Sequence, residues 1–185
     1  VSFALDTFEI MLFRSIVGVT IVISAALIFG TLRQINRQQF GLHFARNLAH
    51  FIGQNLWFYA VTVIPLAQVF ALEFTSPIWV ILLSPLLLGE RLTLVRAIAA
   101  FMGFAGILIV ARPDMGGGNT GVIMAASSAF FFAFTIIFTK LLTRTQSITC
   151  ILFYLTVLQL IFGLIMAGYD GDITLPDEKS LPWLL

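Results

Sequence analysis

Two apolar runs, 66–88 and 93–112, are separated only by the polar turn Gly89-Glu90-Arg91, and they limit what this chain can become. Each offers the ~20 consecutive apolar residues that a helix needs to cross the hydrocarbon core of a bilayer. The first run also holds a lone acid, Glu73, and two prolines, Pro77 and Pro85. A proline has no amide hydrogen, and its ring crowds the carbonyl four residues back. For Pro77 that carbonyl belongs to Glu73, so both the carbonyl and the carboxylate of one residue need partners at membrane depth. Irregular backbone is tolerated there only when it is buried in protein or lines a wet cavity. The pattern therefore predicts that Glu73 faces the inside of a helix bundle.

The rest of the chain repeats the apolar theme. Hydropathy predicts six spans, at 10–29, 47–65, 66–88, 93–112, 118–139 and 148–168, with a seventh beginning at Leu181. Of the 185 residues, 59% are hydrophobic and 10% charged, against about a quarter charged in soluble domains. A net charge of +1 offers no basic surface for nucleic acid. Cys150, the single cysteine, sits in an apolar stretch and reads as a small core residue. His43 and His50 stand apart and the connecting loops are short, so neither a metal site, a cofactor site nor an enzyme active site is expected.

The loop charges predict a topology. The segments 30–46, 89–92 and 140–147, together with Arg96 just beyond, hold seven basic residues and one acid, Glu90. The alternate segments are acidic, with Asp6, Glu9, Asp114, Asp170, Asp172, Asp177 and Glu178. The positive-inside rule places the first group in the cytoplasm. An offset of 140 residues lays Cys150-Ile151-Leu152-Phe153-Tyr154 on Ile10-Met11-Leu12-Phe13-Arg14. Loops equivalent by that offset carry opposite charge, as an inverted-topology repeat requires. With Val in place of Met at position 1, this register predicts a piece of a longer protein: six full spans and the start of a seventh, incomplete at both ends.

The run PLAQVFALEFTSPIWVILLSPLLLGERLTLVRAIAAFMGFAGILIVARP resembles the end of the EamA domain of the drug/metabolite transporter superfamily. The matching features are a span with proline near its middle, Leu-Gly-Glu-Arg-Leu-Thr at the turn, and a glycine-containing span ending in Val-Ala-Arg-Pro. The resemblance implies an all-α integral membrane protein, a helical bundle of inverted five-span repeats with both termini in the cytoplasm. Residues 1–113 would be the first repeat without its first span, and 114–185 the start of the second. It further implies a secondary transporter that moves a small organic metabolite by alternating access, in a bacterial inner membrane. Its partners would be the lipid bilayer and a small-molecule substrate; proton coupling and a homodimer fit the same picture. A membrane-embedded enzyme and a non-transporting scaffold are the alternative classes. The scaffold would have no use for Glu73, and the enzyme would need clustered His, Asp or Glu.

Five residues are expected along a substrate or ion pathway: Glu73, Arg14, His50, Gln54 and Trp57. An ionisable residue within a span marks a functional site by default. Glu73 reads either as part of a transport or gating cycle or as a static ion pair with Arg14, which lies near the same end of its own span. Asn47, His50, Gln54 and Trp57, spaced i, i+3, i+7 and i+10, share one helical face. A mid-span Trp beside a Gln amide suits a planar or apolar metabolite, while interhelical hydrogen bonding is the competing role. Thr135 and Thr139 are expected to bond their own helix carbonyls. Ala99, Gly103 and Gly106 form a small-residue face for close helix packing, and Gly116-Gly117-Gly118 reads as a linker. Glu90 and Arg91 are expected to fix their turn, ahead of a helix capped by Thr93.

Overall fold

A computed structural model of the chain describes residues 7–91, 93–111 and 120–170, and these are helical with short connections. The helices are α1 (Thr7–Ile28), α2 (Phe40–Val63), α3 (Leu66–Glu73), α4 (Ser76–Leu87), α5 (Leu94–Ala111), α6 (Thr120–Leu142) and α7 (Ile148–Asp170). A helix thus stands at each of the six expected spans, and the third is broken in two. Four segments, Met11–Ile28, Leu66–Leu88, Thr120–Leu142 and Ile148–Met166, are long and apolar enough to cross a membrane. The apolar part of α5, Leu94–Gly106, is shorter. α2 is long enough but carries Asn47, His50, Gln54 and Asn55, polar groups that lower its hydropathy. The fold is an all-α membrane fold. The Gly116–Gly118 linker and the start of a span at Leu181 lie outside the described residues.

Helix ends follow local chemistry. α2 starts earlier than hydropathy alone suggests and stops at Val63, because Pro65 disfavours helical backbone in the residue before it. α1 closes with Gly30 at φ 65°, whose N–H donates to Leu27 O while the N–H of Thr31 donates to Ala26 O. That pairing satisfies two end carbonyls and needs the left-handed backbone that glycine adopts without strain.

The described residues pack as two compact units: those of 7–47 with 142–170, and those of 48–141. In the first, α1 lies along α7, close enough that a Cβ on Gly163 would meet the Leu12 backbone at 3.3 Å. The start of α2 joins them through Gln159, whose amide Nε2 donates to Asn47 O at 2.9 Å. Buried His43 lies against Tyr154, ring centres 4.4 Å apart. Cys150 is fully buried, as a core residue should be.

The second unit holds the remainder of α2, α3, α4, α5 and nearly all of α6. Its core is Ala60, Ile64, Val69, Leu72 and Ala125, with Trp57 and Val122 packed against it. The small face on α5 finds no close neighbour here: a Cβ on Gly103 or Gly106 would meet nothing within 4 Å. Close approach is instead made at Gly121 and Gly53, where a Cβ would come within 2.7 Å of Ile64 and 3.0 Å of Phe132. Large side chains of this unit such as Leu86, Val95 and Phe101 point outward, the surface that lipid tails solvate as well as protein does.

Candidate functional site

The break between α3 and α4 builds the site. Pro77 falls in the first turn of α4, where its missing N–H breaks no intrahelical bond. In an unbroken helix that N–H would go to the Glu73 carbonyl. The chain tightens instead: the N–H and the hydroxyl of Thr75 both donate to Leu72 O, at 3.0 and 2.6 Å. Glu73 becomes the last residue of α3, half-buried, with its carboxylate turned towards α2. There the Trp57 indole Nε1–H donates to Glu73 Oε2 at 2.8 Å. The indole is held by packing, edge-on to Phe58 at 5.5 Å and tilted against Phe70 at 6.4 Å. A packed indole offers its single N–H in one direction, so the acid has a fixed, uncharged partner at the backbone break.

Four residues beyond Thr75, the break leads to an aromatic groove. The backbone N–H of Trp79 donates to Thr75 O at 3.2 Å, and the Trp79 ring lies edge-on to Phe130 of α6 at 5.2 Å. Trp79, Val122, Ile123, Ala126, Ser127, Phe130 and Phe131 border an open groove of about 480 Å³. That volume lies within the range of small-molecule sites, and the lining suits a flat apolar body with one hydroxyl to orient it. Sequence reasoning passed over these residues. Their signal was Trp79 near the middle of its span, away from the interface where Trp concentrates, and the triple Phe130-Phe131-Phe132.

The remaining expected residues divide. Asn47 is structural: its amide donates to His43 O at 2.8 Å and its Oδ1 accepts from Arg46 at 3.0 Å. His50 and Gln54 are half-buried on α2, with the His50 ring 6.0 Å from that of Phe132. Arg14 is exposed on α1 in the first unit, while Glu73 and Trp57 belong to the second. Thr135 and Thr139 donate to Phe131 O and Thr135 O, the expected return bonds.

Glu90 does more than fix its turn. Lys140 Nζ, at the end of α6, reaches Oε1 at 2.6 Å and Oε2 at 2.7 Å, and Arg96 Nη1 of α5 reaches Oε2 at 2.9 Å. These hydrogen bonds, that from Lys140 first, hold the Glu90 carboxyl below the usual carboxylate range. Arg91 is exposed beside it, and Thr93 immediately precedes α5.

The EamA-like transporter family matches residues 1–112 of the chain. A protein of Vibrio cholerae named riboflavin transporter is 28% identical over 186 residues, covering 100% of this chain and 61% of the relative. A riboflavin transporter of Brucella anthropi is 36% identical over 126 residues, 68% of this chain and 44% of its own length. An S-adenosylmethionine uptake transporter of Rickettsia conorii is 24% identical over 164 residues, 89% of this chain and 55% of that protein. The chain thus spans roughly half of the relatives it matches. A crystal structure 19% identical in sequence shares the fold at a TM-score of 0.75, over 98% of this chain and 64% of the other.

Proposed function

The chain belongs to the EamA-like transporter family, and from that premise we propose that it works as a secondary transporter of a small organic metabolite. The observation that carries the reading is the Glu73 carboxylate held by Trp57 where the span breaks. Broken helices at midmembrane are where secondary transporters place substrate and coupling ions, and the flanking segments can move as separate bodies. Glu73 and Trp57 line the pathway, with His50 and Gln54 following along α2 and Arg14 supplying counter-charge in the transport cycle. Transport is coupled to a proton gradient, with Glu73 as the acid in the pathway.

The substrate carries a planar heteroaromatic ring. Riboflavin and S-adenosylmethionine, after which relatives are named, both do. Trp79, Phe130 and Phe131 present the faces and edges that such a ring stacks on. The protein moves this substrate chemically unchanged across a bacterial inner membrane. Uptake of labelled riboflavin and S-adenosylmethionine, compared between cells with and without the full-length protein, tests the reading. Faster accumulation of one of them is expected. Equal accumulation of both, and of further planar heteroaromatic metabolites, would overturn it.

A further inference from the structure

The turn between α4 and α5 carries more positive charge than its own ion pairs consume. Arg91, Arg96 and Lys140 gather about a single acid, Glu90, and both oxygens of that acid are already engaged by Lys140 and Arg96. Arg91 has no ion-pair partner among the described residues. Beside it, Ile81, Ser84, Arg91, Thr93 and Arg96 enclose a pocket of about 20 Å³. That is room for one oxygen-sized group, so a ligand seated here inserts one atom and leaves its bulk outside. The neighbouring helix surface is bare hydrocarbon: Leu86, Leu94 and Val95 are 81%, 76% and 77% exposed.

We propose that this pocket binds the phosphate of an anionic phospholipid. One phosphate oxygen enters between Arg91 and Arg96, and the acyl chains run along Leu94 and Val95. Guanidinium groups match phosphate oxygens in geometry as well as charge. Arg96 is held in place by Glu90, so half of the cation pair is oriented before the lipid arrives. The loop charges assign this end to the cytoplasmic side, where basic residues next to a membrane meet anionic headgroups. A soluble anion would use the two arginines but gain nothing from the exposed leucine and valine beside them.

Native mass spectrometry of the full-length protein, with phosphatidylglycerol or phosphatidylcholine added, tests the site. Phosphatidylglycerol should be retained in preference to phosphatidylcholine. Arg91→Gln should weaken that retention about five-fold, the weight of one basic residue beside an anionic leaflet. Arg91→Lys should keep most of it, because lysine still binds phosphate as a point charge. Among the described residues Arg91 makes no ion pair, so the Gln variant should unfold at the temperature of the parent protein. Equal retention of the two lipids, or no loss in Arg91→Gln, would overturn the proposal. So would displacement of the lipid by an equal concentration of inorganic phosphate, which would assign the pocket to a soluble anion.

Discussion

A carboxylate inside a membrane segment needs donors, and the natural expectation from charge alone is a cation. Glu73 takes an indole N–H from Trp57 at 2.8 Å, a partner that brings no second charge to be desolvated. Interhelical hydrogen bonds of this kind average about 0.6 kcal/mol in double-mutant cycles. A cycle of Trp57→Phe and Glu73→Ala, read by unfolding in detergent, should return a coupling near that value, and zero coupling would contradict the contact. The acid and the indole were each legible in the sequence, one as the lone charge in an apolar run, the other as a Trp at mid-span. Their pairing was not. Periodicity places Trp57 on a face of α2, but which residue of a neighbouring helix meets that face depends on register and depth. Trp79 and Phe130 escaped for a related reason: apolar side chains lining a groove look the same in sequence as those filling a core.

At the scale of elements, the proline break and the turn after it carry the argument. Pro77→Ala restores the N–H that the Glu73 carbonyl lacks and so favours one continuous helix through 66–88. Thermal stability should rise, by less than the ~3 kcal/mol of a mid-helix proline because Pro77 already sits in a first turn. The initial transport rate should fall. A faster rate would contradict the break as a working hinge. The Glu90 clamp between α5 and α6 has its own signature in pH. Its carboxyl titrates below the ordinary value, so its contribution is complete above the unfolded pKa of roughly 4.3. It is lost as pH falls through the lower folded value. Glu90→Gln should therefore melt below the parent protein at neutral pH, with the gap closing below about pH 4. A gap unchanged by acid would show that the carboxylate charge is irrelevant. The clamp itself was visible in sequence only as a polar turn, since Lys140 lies 50 residues away. The α5 glycine face shows the same limit: spacing reveals a small-residue surface but not what approaches it, and the close contacts lie instead at glycines such as Gly53, Gly121 and Gly163.

At the scale of the whole molecule, apolar length and loop charge carried most of the information. Helices occupy all six stretches that hydropathy marks, because a bilayer leaves few other ways to satisfy the backbone. The charge bias makes a further expectation: with Cys150 replaced, single cysteines at 33 and 140 should resist a membrane-impermeant reagent added outside, while one at 172 should react. The reverse pattern would invert the topology. The account rests most heavily on Glu73 as a working part of transport. Its direct test is to measure membrane abundance and substrate transport together, across pH, for the full-length protein and its Glu73→Gln variant. The expected result is near-parental abundance with transport lost, or with its pH dependence flattened. Normal abundance with transport unchanged at every pH would contradict it.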